Sequence, residues 1–257
     1  MNVLVFDIET IPDLEGGRRI YDLDGLDDKD TASALFNIRR QETGNEFLRL
    51  HLQKIVAISV VLRSAKGIKV WSLGDETSSE KELIERFFEG VEKFSPQLVS
   101  WNGGGFDLPV LHYRGLRHGV EASKYWDLGE DDREFKWNNY ISRYHMRHLD
   151  LMDLLAMYSP KNNAPLDAMA KLCGFPGKLG MDGSQVYAQY LAGQTEDIRR
   201  YCETDVMNTY LVYCRFQKMR GGLTEAEYEQ EIAMVKETLG NLAPNESHWD
   251  EYLKAWP

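Results

Sequence analysis

The stretch Val3-Leu4-Val5-Phe6-Asp7-Ile8-Glu9-Thr10 joins four consecutive apolar residues to a pair of acids spaced by one residue. Four apolar side chains without a polar alternate suit a strand covered on both faces, and therefore a strand in the middle of a sheet. Successive strand side chains point to opposite faces, so Asp7 and Glu9 project from the same side of its end. Hard divalent cations such as Mg²⁺ and Mn²⁺ favour carboxylate oxygens, and acids at i and i+2 can reach a shared ion. Taken alone, the pair reads more simply as two solvated acids at a strand end.

Working outward, Ile55 to Leu62 and Ile68 to Leu73 are β-rich runs flanking Gly67, the pattern of an antiparallel hairpin. Ser79-Glu80-Lys81-Glu82 reads as a capping box opening an amphipathic helix with Leu83, Ile84, Phe87, Phe88, Val91 and Phe94 on one face. Ser95-Pro96 ends that helix, and Gln97 to Trp101 is a short strand running into Gly103-Gly104-Gly105 and a helix from about Phe106 to Gly119. His148 to Tyr158, Leu166 to Cys173, Ser184 to Leu191 and Thr195 to Arg220 read as strand-to-helix and helical segments, closed by Gly221-Gly222. This alternation predicts one α/β domain over residues 1–222. Residues 12–53, rich in Asp, Gly and Arg with a helix near Thr31 to Arg40, read as an insertion outside the core. Residues 120–147 read as a polar and aromatic excursion with little regular structure. Residues 223–257 read as a C-terminal helical extension, with a helix over Leu223 to Leu239 and a tail bearing Trp249, Tyr252 and Trp256.

With 43% apolar and 11% aromatic residues, the 257-residue chain can bury a sizeable core. A net charge of −11 opposes tight, sequence-independent duplex binding, because Lys and Arg neutralising phosphates supply most non-specific affinity. A carboxylate-rich metal site adds negative charge of its own, so the acidic total leaves an enzyme of strand ends open. The acidic N-terminal stretch has no secretion signal, no apolar run reaches membrane-spanning length, and Cys173, Cys202 and Cys214 lack paired metal-site spacing. A cytoplasmic protein with reduced thiols and no membrane association is expected.

Two further places carry chemistry. Asn102-Gly103-Gly104-Gly105-Phe106-Asp107 puts Asp107 in a first helical turn, where it either stabilises the helix dipole or joins a site that the glycines let a ligand approach. In the helix from Thr195, Ile198, Tyr201, Cys202, Asp205, Val206, Thr209 and Val212 form an inward stripe. A buried Asp205 costs several kcal/mol unless a cation or partner neutralises it. Tyr201, one turn earlier, reaches the same point. Separately, a core tyrosine and a buried salt bridge explain these two residues. Jointly, four acids at a strand end, a Gly-rich helix start and an inward helix face require one explanation for converging charge.

Together FDIET, NGGGFD and YCETD resemble the three motifs (DxE, NxxxFD, YxxxD) of the tyrosine-bearing branch of the DnaQ-like 3′-5′ exonuclease superfamily. The IP after FDIET and the LP after FD look most like family B DNA polymerase proofreading domains and the predicted stand-alone exonucleases related to them. The resemblance runs from residue 1 to about 220. It implies a ribonuclease-H-like fold, a central mixed five-stranded sheet flanked by helices, and two divalent cations, Mg²⁺ or Mn²⁺. It implies Asp7, Glu9, Asp107 and Asp205 as metal ligands, Tyr201 orienting the attacking water, and Thr10, Asn102 and Phe106 contacting the terminal nucleotide. The activity implied is hydrolysis of single-stranded nucleic acid from its 3′ end to nucleoside 5′-monophosphates. DNA is the expected substrate, with trimming of RNA or short oligonucleotides, or a non-catalytic nucleic-acid-binding module, as alternatives. The chain length leaves no room for a polymerase domain, so a stand-alone nuclease is expected.

Weaker signals are His145 with His148, read as structural rather than a metal pair, and Asp150 with Asp153, read as caps or core hydrogen-bond partners. Trp126, Lys136, Trp137, Tyr140, Arg143, Tyr144 and Arg147 interleave aromatics with cations, which suits either a stacking surface for bases or ordinary loop packing.

Overall fold

The computed structural model describes residues 2–257. Strand β1 (Val3–Pro12) is the middle of a five-stranded sheet. It is joined by β2 (Gln53–Ser64), β3 (Gly67–Ser72), β4 (Gln97–Ser100) and β5 (His148–Asp150), in the order β3-β2-β1-β4-β5. The β2–β3 hairpin and the β1–β2 pair are antiparallel, whereas β4 runs parallel to both β1 and β5. Between β1 and β2 lie α1 (Leu14–Tyr21) and α2 (Asp28–Thr43). Helix α3 (Glu80–Phe94) follows the hairpin, and α4 (Asp107–His118) and the short α5 (Ser123–Trp126) follow β4. After β5 come α6 (Leu151–Leu155), α7 (Leu166–Leu172), α8 (Val186–Leu191) and the long α9 (Thr195–Met219). Helices α10 (Glu225–Leu242) and α11 (Ser247–Lys254) end the chain. This mixed, helix-flanked sheet is the α/β architecture the sequence predicts.

The strand period explains why β1 must be central. Val3 and Val5 pack with Val61, Val99 and the α9 residues Val206 and Tyr210 on one face. Leu4, Phe6 and Ile8 pack with α3 and α4 residues, including Phe87 and Leu111, on the other. Asp7 and Glu9 share the parity of Val3 and Val5, so they emerge on the face that α9 covers.

Four segments show more than the sequence conveys. Residues 12–53 form two helices around a small core of Leu35, Leu48 and Leu52, and the helix expected at Thr31 to Arg40 runs over Asp28–Thr43. The segment is tied to the main body, because buried Arg114 of α4 bonds both Asp13 at the start of α1 and Glu80 of α3, the latter at 2.6 Å. Only half of the Ser79 capping box forms: Ser79 Oγ accepts from the Glu82 amide, but the Glu82 carboxylate turns to Arg86. Residues 120–147 leave the sheet, yet Tyr125, Phe135 and Tyr140 are fully buried, with Tyr125 and Tyr140 stacked at 5.4 Å. In the tail, Trp249 and Tyr252 are buried in the same core as α9.

Candidate active site

The site begins where the sheet comes apart. Strand β4 pairs with β1 only from Val3 opposite Gln97 to Val5 opposite Val99. Beyond that the chain turns into Asn102 and the glycines, and the amide of Ile8 is met instead by the Asp107 carboxylate at 3.2 Å. Asp107 therefore comes from the α4 layer to the edge of the strand that carries Asp7 and Glu9. An irregularity in the β1–β2 pairing between Glu9 and Thr10 re-aims the strand end, as bulges beside functional sites do.

The glycine turn is held from outside. Asp150, at the end of β5, accepts hydrogen bonds from the amides of Asn102 at 3.0 Å and Gly104 at 2.8 Å, and from Asp153 within its own helix start at 3.2 Å. Asn102 adopts a left-handed backbone with φ of 69°, which an asparagine tolerates better than most residues. The glycines serve packing more than expected. A side chain at Gly103 would collide with Ser100 and one at Gly105 with Asn102, leaving Gly104 as the exposed position with the most room.

Helix α9 brings the remaining residues. Tyr201 and Asp205 are buried, one turn apart on the face toward β1. A residue outside the sequence-based set joins them: Lys178 Nζ lies 2.9 Å from Asp205 Oδ2, donates to the Tyr201 hydroxyl, and sits 4.9 Å from the centre of the Tyr201 ring. Lys178 is held by its backbone, since its amide donates to Asp167 at 2.7 Å and neighbouring Gly177 is clamped by the side chain of Asn208. Nothing local marks Lys178 in the sequence, because its loop is placed by α7, α9 and α11 rather than by a motif.

The electrostatics follow from burial. Asp7 is pushed well up from the usual carboxylate range by burial and then by the neighbouring charges of Asp107 and Asp205. Glu9 is raised by burial and by Asp7 and Asp205. Burial lifts Asp107 to about 7 and also raises Asp205, against the pull of Lys178. Burial would lower Lys178, but the carboxylates of Asp205, Asp7 and Glu9 outweigh it and hold the ammonium above its ordinary range. The Tyr201 hydroxyl is raised by burial and by Asp205, so it keeps its proton. Like charges about 4 Å apart repel by about 4 kcal/mol at the effective dielectric of such sites, and one ammonium cannot offset four carboxylates.

Asp205 Oδ1 is buried with no hydrogen-bond partner among the described residues. Ligand atoms of Asp7, Glu9 and Cys202 lie within 4.8 Å of one another. Asp205 stands outside that 4.8 Å group, but its charge acts on both Asp7 and Glu9, and an orphaned carboxylate oxygen near two hard oxygen donors fits a divalent cation. Cys202 does not fit one in the same way: burial and then Asp7 push its thiol well up, and its Sγ lies 3.4 Å from the Asp7 carbonyl oxygen as a neutral donor.

Residues 45–256 match the family described as predicted 3′-5′ exonucleases related to the exonuclease domain of PolB. The chain belongs to that family. The matched span holds Asn102, Phe106, Asp107, Tyr201 and Asp205, while Asp7, Glu9 and Thr10 precede it. The chain is 24% identical over 139 residues to a DNA polymerase of Archaeoglobus fulgidus, covering 53% of this chain and 17% of that protein. It is 25% identical over 147 residues to the catalytic polypeptide of DNA polymerase epsilon from Saccharomyces cerevisiae, covering 54% and 6%. It is 26% identical over 180 residues to a DNA polymerase of Thermococcus gorgonarius, covering 65% and 22%. The chain thus spans less than a quarter of the length of each relative. Its fold is similar to that of the family B DNA polymerase from the hyperthermophilic archaeon Pyrobaculum calidifontis, with a TM-score of 0.51 at 18% identity, covering 95% of this chain and 29% of that one.

In this member of the family the remaining residues singled out from the sequence divide. Phe106 precedes Asp107 at the head of α4, and Thr10 Oγ1 bonds buried Gln53 at 2.9 Å. His145 and His148 face separate partners, the Asn139 amide and the Ser100 hydroxyl, and do not pair. Asp153 is salt-bridged to Arg143 at 2.6 Å. The stacking surface considered for residues 126–147 is broken up: Tyr140 is buried with its hydroxyl on the Pro96 carbonyl, and Arg147 stacks on Phe135 at 4.1 Å. Trp126, Trp137 and Tyr144 remain exposed. No helix of the described residues is long and apolar enough to cross a membrane.

Proposed function

We propose that this chain is a 3′-5′ exonuclease that removes nucleoside 5′-monophosphates from the 3′ end of single-stranded nucleic acid, DNA in preference to RNA. Asp7, Glu9, Asp107 and Asp205 would hold two divalent cations, Mg²⁺ or Mn²⁺. The observation that supports this reading most is the buried Asp205 carboxylate, with one oxygen on Lys178 and the other unpartnered, beside three further buried or half-buried acids. Two divalent ions bring as much positive charge as four carboxylates bring negative charge, which one lysine does not. The relation to DNA polymerases favours DNA as the substrate.

When bound, the cations supply a nucleophilic water and stabilise the leaving 3′ oxygen. The protein's part is positioning. Tyr201 keeps its proton against a free-tyrosine pKa of about 10, so it holds water by hydrogen bonding rather than by abstracting its proton. Lys178 donates to the Tyr201 hydroxyl and pairs with the Asp205 carboxylate, so one ammonium ties the two side chains together. Asn102, Gly104 and Phe106 line the turn where the terminal nucleotide would lie. Residues 1–222 form the catalytic unit of this proposal, with 223–257 supporting it.

End-labelled single strands of DNA and RNA, incubated with Mg²⁺, Mn²⁺ or chelator and sized, test this directly. Metal-dependent shortening from the 3′ end is expected, and Asp7→Asn or Asp205→Asn should slow it on the order of 10²- to 10³-fold. Wild-type rates in either variant would overturn the assignment, and a preference for RNA would move the substrate.

A further inference from the structure

Phe47 lies just before β2 with 56% of its surface exposed. Its ring centre is 5.7 Å from that of Phe106, with the planes inclined at 50°. A lone exposed phenylalanine is ordinary on a protein surface. This one is anchored on both sides. The Phe47 carbonyl accepts from Arg39 Nε at 2.7 Å and its amide donates to Asn45 at 3.0 Å. The next residue, Leu48, is buried, and its carbonyl accepts from Gln53, whose other amide atom accepts from the Thr10 hydroxyl. The backbone that presents the ring is therefore linked to the end of β1, one residue from Glu9.

From this placement we propose that Phe47 binds substrate: its ring extends the Phe106 surface and stacks on the base that precedes the 3′-terminal nucleotide. The proposal rests on the exonuclease reading above. The two rings are too close to admit a base between them, because stacking requires about 3.4 Å on each face. They form one apolar wall, with the base lying against the outer face of Phe47. The net charge of −11 points the same way, since weak phosphate attraction leaves stacking to supply more of the affinity. Residues 12–53 thereby acquire a role, delivering an aromatic to a site that β1 and α4 would otherwise leave open on that side.

The test uses the full chain with Mn²⁺ and two labelled single strands, one intact and one lacking only the base of the penultimate nucleotide. Phe47→Ala should raise KM for the intact strand about tenfold with a much smaller change in kcat, and Phe47→Trp should restore most of it. On the abasic strand the alanine penalty should shrink to below about twofold. An alanine variant indistinguishable from wild type on the intact strand, or equally impaired on both strands, overturns the assignment of Phe47 while leaving the exonuclease reading in place. A wild-type chain that cleaves neither strand removes both.

Discussion

Asp205 and Lys178 form the contact on which the site turns. The pair suits a metal-free state in which Lys178 partly offsets the acids, and Lys178→Met should expose what the ammonium contributes. Its melting temperature in chelator should fall below that of the wild type, and added Mn²⁺ should recover more of the loss than it adds to the wild type. Equal Mn²⁺ responses in the two proteins would mean that Lys178 does not offset the acids. Two histidines give a separate acid sensitivity. Burial lowers both His112 and His148 to about 4, from an unfolded value near 6.5. Between those values the unfolded chain binds protons at these two positions that the folded chain refuses, so the histidines' own contribution is complete above pH 7 and falls as the pH drops from about 6.5 to about 4, whereas the raised carboxyls of Asp7, Glu9 and Asp107 act in the opposite sense. The histidine part is read from the difference between two proteins: in urea unfolding at pH 7 and pH 5, His148→Gln should lose less stability, or gain more, than the wild type over that step. A His148 variant with the same pH slope would assign the acid sensitivity elsewhere.

At the level of elements, legibility followed local pattern. Strand β1, the β2–β3 hairpin and helices α3, α4 and α9 announce themselves through apolar runs, period and breakers, and they bring Asp7, Glu9, Asp107, Tyr201 and Asp205 together. What stayed hidden is placed by tertiary contact. Tyr140 sits in a polar stretch that gives no sign of burial, and Lys178 sits in a loop whose position depends on helices far along the chain. The link is explicit: Tyr252 of α11 donates to Asn208 at 2.7 Å, and Asn208 clamps Gly177 beside Lys178. Tyr252→Phe should therefore cost roughly 1 kcal/mol of stability and also lower kcat, although α11 carries none of the four acids. Unchanged kcat with lowered stability would reduce α11 to a packing role. Residues 12–53 are tied on by Arg114, whose guanidinium meets Asp13 and Glu80 in a buried cluster. Arg114→Ala removes the cation shared by two buried acids, leaving Asp13 to Arg117 and Glu80 to His118, and should cost about 3 kcal/mol in urea unfolding. A loss below about 1 kcal/mol would show that the cluster is relaxed by water.

For the molecule as a whole, the two parities of β1 serve two different cores, and the same alternation sends Asp7 and Glu9 toward α9. Fold and site thus share one cause, a strand apolar on both faces that ends in acids where the sheet splays. On the proposed reading, a pair of divalent ions balances the surplus of negative charge at that point. Anomalous diffraction from crystals soaked with Mn²⁺ and a nucleoside 5′-monophosphate tests this most directly. Mn²⁺ peaks ligated by Asp7, Glu9 and Asp205, with Asp107 on the same cluster and Lys178 drawn away from Asp205, are the predicted result. Density showing Asp205 still paired with Lys178, and Mn²⁺ absent or bound elsewhere, would contradict it.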